Sequence, residues 1–217
     1  IPDISMFQSP ILHWSANVGI SVNNGQTVNE WDEQIAQVSA SAQGNPKFRS
    51  NEDGLSAVEY DKSNDAHVWN GNPKLPTGNN PVTIAATVKI NSGSQFNVIG
   101  WGTTNFNSDF WSFGAIKGKP IFRAEGSDGA KGGSFPTGQF FTISGRYDQS
   151  NLSVFINASK QASDNKSSIQ IGDANHSIGK RSDNSNFTDG YISDIVVCDV
   201  AESDSAIQAY NNDRSGF

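Results

Sequence analysis

The stretch Trp101-Gly102-Thr103-Thr104-Asn105-Phe106-Asn107-Ser108-Asp109-Phe110-Trp111 brings rings, amides and a carboxylate into one loop-like segment. Sugars present apolar C–H faces and ringed hydroxyls, and an aromatic face beside Asn or Asp side chains meets both. On that chemistry, Phe106 and Trp111 are expected to stack on a ligand while Asn105, Asn107 and Asp109 hydrogen-bond to it. The competing reading places Trp101, Phe110 and Trp111 in a core, leaving Phe106, with polar neighbours on both sides, as the exposed ring. A second candidate is His67-Val68-Trp69-Asn70-Gly71-Asn72, where Trp69 closes a strand-like run just before a polar stretch; Trp69 and Asn70 join the expected ligand-binding set. A third pairs Asp173-Ala174-Asn175 with Asp183-Asn184-Ser185-Asn186. Ca²⁺ takes roughly six to eight hard oxygen ligands, so Asp173, Asp183 and Asn184 are the expected metal ligands, although the same residue types are common turn formers.

Catalytic patterns are missing. Glycan hydrolysis needs two carboxylates facing one cleft, which on a strand means alternate positions. The nearest groupings are Glu30-Trp31-Asp32-Glu33 and Asp199 to Asp204. They fall in a turn-like stretch and at the start of a terminal helix, where structural or solvated roles are expected. His13, His67 and His176 are isolated in sequence and read as structural, and neither a Cys/His metal spacing nor a phosphate-cradling glycine loop occurs. Arg146, inside an apolar run, calls for a carboxylate partner, with Asp148 and Asp194 as candidates. The single cysteine, Cys198, ends the run Ile195-Val196-Val197 and reads as a small core residue.

These groups need elements to hold them. Helical periodicity is nearly absent across the 217 residues, and alternating or β-branched runs dominate. Strands are expected at Ile11–Trp14, Ala57–Asp61, Ala66–Trp69, Val82–Ile90, Phe96–Trp101, Phe110–Ala115, Pro120–Ala124, Gln139–Tyr147, Leu152–Ile156, Ser168–Ile171 and Tyr191–Asp199. Within the last of these, simple alternation puts Ile192, Asp194 and Val196 on one face. Lys117-Gly118-Lys119 reads as a tight hairpin turn. Ser203–Arg214 is the one firm helix, capped by Ser203 with Ile207 and Tyr210 on one face; Asn29–Gln34 and Asp183–Asn186 are weaker helical candidates. No internal repeat or linker appears, so residues 1–217 are expected to form one all-β antiparallel sandwich, a jelly roll with a short C-terminal helix.

Net charge is -7 and the pI about 4.8, with no basic run longer than Lys180-Arg181. That balance argues against nucleic acid and anionic membrane as partners. No apolar run reaches the ~18–20 residues of a membrane span, no signal peptide is visible, and a chain opening at Ile1 reads as a processed or excised fragment.

The order of motifs resembles a known family. Ile11-Leu12-His13-Trp14-Ser15-Ala16 followed by Val28-Asn29-Glu30-Trp31-Asp32 is similar to the opening of bacterial laminin-G-like domains, with Glu33-Gln34 in place of their Ser-Gly turn. The same order holds for Asn45-Pro46-Lys47-Phe48, Ala57-Val58-Glu59-Tyr60-Asp61 and Val82-Thr83-Ile84-Ala85-Ala86-Thr87-Val88. It continues through Phe140 to Asp148 paired with Leu152 to Asn157, then Ile178-Gly179 and Phe187 to Val197 before the closing helix. The resemblance implies the concanavalin A-like jelly roll and, because many such domains bind calcium at a sandwich rim, Ca²⁺. Folds of this kind host lectins, adhesion modules, virion proteins and glycan-cleaving enzymes, so function must come from the site. The expected function is a non-catalytic module that binds carbohydrate or a cell-surface receptor, displayed extracellularly, on a cell surface or on a virion. One alternative is an assembly module that contacts protein subunits, homo-oligomers included. The other is a polysaccharide hydrolase or lyase.

Overall fold

In the computed structural model, residues 3–70, 75–91, 95–102, 110–124, 129–167 and 169–214 are described. Two antiparallel sheets stack face to face. The first runs β14 (Ser159–Asn165), β13 (Asn151–Ile156), β12 (Phe140–Tyr147), β7 (Val82–Ile90), β16 (Asp189–Cys198), β5 (Leu55–Asp61) and β4 (Lys47–Glu52). Strand β1 (Pro10–Ser15) takes over from β5 along the second half of β16. The second sheet runs β11 (Ala130–Lys131), β10 (Lys119–Ala124), β9 (Phe110–Ile116), β8 (Gln95–Gly102), β15 (His176–Ile178), β6 (Ala66–Trp69), β3 (Ser39–Gln43) and β2 (Glu30–Asp32). Helix α1 (Asp204–Arg214) lies on the outer face of the first sheet.

The core between the sheets is aromatic. Trp14 of the first sheet meets Trp69 of the second at 4.8 Å between ring centroids, and Trp111 meets Tyr147 at 5.6 Å. At Gly145 the sheets come so close that a methyl group would sit 2.8 Å from Phe122 Cγ, which is why this strand position has no side chain. The core draws on residues from Leu12 to Val197, on both sides of the Leu75–Pro81 segment.

Most expected strands form within two residues of their sequence-derived limits, Ala66–Trp69 and Val82–Ile90 among them. Four expectations are corrected. Asn29–Gln34 is the strand β2 and a turn, not a helix; the buried Glu33 carboxylate accepts the backbone N–H groups of His13, Ile35, Ala36 and Gln37 and so folds the chain back. The stretch after Ser168 forms no strand: Ile169 and Ile171 enter the core from a connection, with the Ile169 N–H held by Asn79 Oδ1 at 3.0 Å. Simple alternation fails in β16, where a bulge between Ile192 and Asp194 changes the parity. Ile192, Ile195 and Val197 therefore share the inner core, while Asp194, Val196 and Cys198 face the helix. Arg146 bonds to neither Asp148 nor Asp194; its guanidinium reaches Asp204 at 2.5 Å and the Glu202 carbonyl at 2.8 Å.

The helix starts as its sequence suggests, with Ser203 Oγ accepting the Ala206 N–H at 3.1 Å. Ala206, Ile207 and Tyr210 are buried against the sheet. Below them Asp194 is shared by His13 Nε2 (2.8 Å), the Tyr210 hydroxyl (3.0 Å) and Arg214 Nη2 (3.3 Å). Cys198 is buried in the same cluster, and burial pushes its thiol pKa up, as a structural cysteine requires. No helix is long and apolar enough to cross a membrane among the described residues.

Among the described residues three hairpins use two-residue loops with positive φ at both positions, the geometry that matches strand twist, one of them Asp53-Gly54 between β4 and β5. Lys117 and Gly118 join β9 to β10, as the sequence predicts, and Asn157 and Ala158 (φ 45 and 62) join β13 to β14. Ala158 sits in the left-handed region that L-residues resist. Ala158→Gly should therefore raise unfolding stability by about 0.5–1 kcal/mol, read as a higher denaturant midpoint at unchanged slope; an equal or lower midpoint would show the turn is unstrained.

Candidate functional site

The outer face of the second sheet carries the cleft that best fits a ligand. Cross-strand pairing sets Ser41, Val68, Ser177, Gly100, Ser112 and Arg123 in one row across six strands. Directly opposed residues project to the same face, and their neighbours Trp69, Ile178, Trp101 and Phe122 point into the core. After β15 the chain turns back over this row. Gly100 gives it room: a Cβ there would lie 3.3 Å from the Ser182 backbone nitrogen. The Thr188 N–H returns to the Gly179 carbonyl at 2.8 Å and closes the loop.

On one side of that loop lies a cleft of about 380 Å³, within the size range of small-molecule sites. Val68 and Ser177 form its floor, and Gln43, Asn70, Asn175 and Asn184 stand exposed around it. Lys180, only 6% exposed, reaches up between them. Its ammonium donates to Gln43 Oε1 and to Asn184 Oδ1 (2.6 Å). Burial alone pushes its pKa below the ordinary lysine value. Ser177 Oγ lies 3.0 Å from the Lys180 carbonyl and 3.3 Å from that of Gly100, tying the loop to the sheet.

The structure thus brings Asn70, Asp183 and Asn184 to one place, together with His176, whose Nε2 meets Asp173 Oδ1 at 2.7 Å. Oxygens of Asp173, Asp183 and Asn184 are engaged by groups of this chain. Arg181 grips both carboxylate oxygens of Asp183, and Ser185 Oγ donates to it at 2.6 Å. Burial opposes the Asp183 charge, but Arg181 and Ser185 outweigh it and hold the carboxyl below its usual pKa. Asn184 faces the Lys180 ammonium, and Asp173 faces His176. Among the described residues no three His, Cys, Asp or Glu side chains gather as metal ligands. As placed, Asp183 and Asn184 turn their oxygens to Arg181 and Lys180, and Asp173 turns one to the His176 ring. The Asp183–Asn186 segment is a turn, not a helix, with Asn184 and Asn186 at positive φ.

The two tryptophans expected to offer faces to a ligand are core residues. Trp69 is 4% exposed, packed between Trp14 and His176; Trp111 is 0% exposed, stacked on Phe122 at 4.7 Å. Both alternate inward because the inner face must be filled. Asn105, Phe106, Asn107 and Asp109 lie outside the described residues. Gln43, Ser177 and Lys180 were not singled out from sequence as ligand contacts. Lys180 belongs to the one adjacent basic pair, which is the only trace the sequence carries; Gln43 arrives from 137 residues away.

The sequence profile described as the concanavalin A-like lectin/glucanases superfamily, laminin G type, matches residues 61–208. The chain belongs to this superfamily. Curated proteins searched by sequence give no match. Among solved structures, this superfamily member is similar to domain 4 of an extracellular arabinanase from Geobacillus stearothermophilus, solved with arabinotriose (15% identity, TM-score 0.62, 94% of this chain and 100% of that one). It is also similar to a botulinum neurotoxin type C structure whose cell entry depends on two ganglioside molecules (15%, 0.63, 94% and 51%). A third likeness is to a Trypanosoma rangeli sialidase mutant with trans-sialidase activity (12%, 0.64, 95% and 33%). At these identities the likeness is one of fold, and the chain spans about half of the toxin chain and a third of the sialidase.

Beside the cleft-floor residue Val68 stands the buried histidine His67. His67 follows Ala66 and precedes Val68 on β6 but points inward. Its Nε2–H donates to the Val28 carbonyl at 2.9 Å, and Nδ1 accepts the Tyr60 hydroxyl at 3.0 Å. Burial pushes its pKa down to about 4, against the opposing effect of the Val28 carbonyl. The folded-state pKa is below the unfolded value of 6.5, so the unfolded chain takes up the proton first as pH falls. This contribution is complete above pH 6.5 and is lost between 6.5 and about 4, by on the order of 3 kcal/mol. His67→Gln should flatten that part of the stability-versus-pH curve relative to the parent; parallel curves would mean that His67 is not buried neutral.

Proposed function

We propose that this chain is a non-catalytic glycan-binding module and that the cleft over β3, β6 and β15 is its recognition site. The observation that carries the reading is the convergence of Gln43, Asn70, Asn175, Ser177 and Asn184 on one cleft at the surface of a superfamily jelly roll. Amides both donate and accept, and sugar hydroxyls need both. Two structures of like fold bind glycans by their own descriptions, one arabinotriose and one gangliosides. The carboxylates support a non-catalytic role. Asp183 is the acid lining the cleft, and Arg181 keeps it ionised, whereas a glycosidase needs one acid kept protonated and a second opposite it. A role of this kind suits a chain displayed at a cell or particle surface.

Screening the protein on a glycan array, with a parallel assay for released reducing ends, tests this. Binding to at least one glycan class with no new reducing ends is expected. Asn70→Ala should weaken that binding about fivefold at unchanged Tm, because the residue is exposed. No binding to any glycan, or turnover of one, would overturn the reading.

A further inference from the structure

Lys180 is an unusual member of the cleft. Its side chain is almost entirely buried, yet among the described residues its ammonium meets two neutral amide oxygens and no carboxylate. The acid that lines the same cleft, Asp183, is three residues away but is held by Arg181 and Ser185. Two other buried charges are arranged differently. Glu33 accepts four backbone N–H groups, and Asp194 is shared by a histidine, a tyrosine and an arginine. Burying an ammonium without a counter-ion is unfavourable, and tying a loop to a strand needs only a neutral donor. Lys180 lines the cleft rather than a closed interior, so the missing negative charge can come from outside.

We propose that the cleft selects acidic sugars, with Lys180 pairing with the carboxylate of a uronic or nonulosonic acid residue while Asn70, Asn175 and Ser177 meet its hydroxyls. This rests on the glycan-binding reading and narrows its ligand class. The ligand carries an isolated carboxylate rather than a dense polyanion, because the chain has a net charge of -7 and would repel the latter. A desolvated ammonium–carboxylate pair is among the stronger contacts available to a small polar site.

The test compares oligosaccharides ending in glucuronic acid, galacturonic acid or sialic acid with the same oligosaccharides after reduction of the carboxyl group to an alcohol. Titration calorimetry of the intact protein should show binding of at least one acidic form and a loss of at least about tenfold on its reduction. That comparison leaves the protein untouched and so does not depend on a variant folding. Lys180→Met should remove the difference between acidic and reduced forms, and Lys180→Arg should restore much of it. Binding of neutral glycans with no preference for the carboxylate would overturn the acidic-sugar assignment and leave glycan recognition standing. Preference retained in a folded Lys180→Met variant would likewise overturn the role of Lys180. Failure of every sugar, acidic or neutral, would remove both readings together.

Discussion

The close contact between the two inner sheet faces governs the rest of the molecule. Trp14 on Trp69, Trp111 on Tyr147, and Phe113 and Phe122 over Gly145 fill the space between the sheets. Interiors of this density leave no room for a ligand. Recognition is therefore confined to outer faces and rims, and the large rings that a sugar would stack on are largely committed elsewhere. Among the described residues the exposed large hydrophobics are Val18 and Ile35, which are aliphatic. A polar cleft without an aromatic platform is the consequence.

The two outer faces are used differently. On the first sheet, Val196 and Cys198 turn outward after the β16 bulge and meet Ala206 and Tyr210 of the helix. Arg146 and Asp194 tie that helix down at either end, through Asp204 and through Tyr210 and Arg214. The helix covers the central strands of this face. On the second sheet the outer row is short and polar, Ser41, Ser177, Gly100 and Ser112 among its members. Small residues there let the loop after β15 lie on the sheet, and the loop walls a cleft instead of sealing the face.

Electrostatics follow the same division. At Glu33 and Asp183, both carboxylate oxygens are hydrogen-bonded by the chain. Where the chain leaves a buried ammonium facing amides only, the position borders the cleft. The amides around it are oriented by that ammonium: Gln43 and Asn184 turn their oxygens toward Lys180, which leaves their N–H₂ groups as donors. That arrangement is the basis of the proposed preference for acceptor-rich, anionic sugars.

Alternation and turn chemistry in the sequence determined the all-β class, the long strands β7 and β16, the Lys117-Gly118 hairpin and the Ser203-capped helix, because these depend on neighbours a few residues apart. The ordered motifs added the laminin-G-like family. Asn70 stands out in the sequence as an expected ligand contact and Asp183 and Asn184 as expected metal ligands, and the fold sets all three along one cleft. Tertiary structure alone decided which aromatics face inward, since inner and outer positions on a strand differ by one residue and a bulge such as that at Ile192–Asp194 reverses them. It also decided that Asp183 and Asn184 meet Arg181 and Lys180, that Asp173 meets the His176 ring, and that Gln43 joins Lys180 across 137 residues. Sheet order sets those pairings, and strands adjacent in the sheet, such as β8 and β15 or β6 and β15, need not be adjacent in sequence.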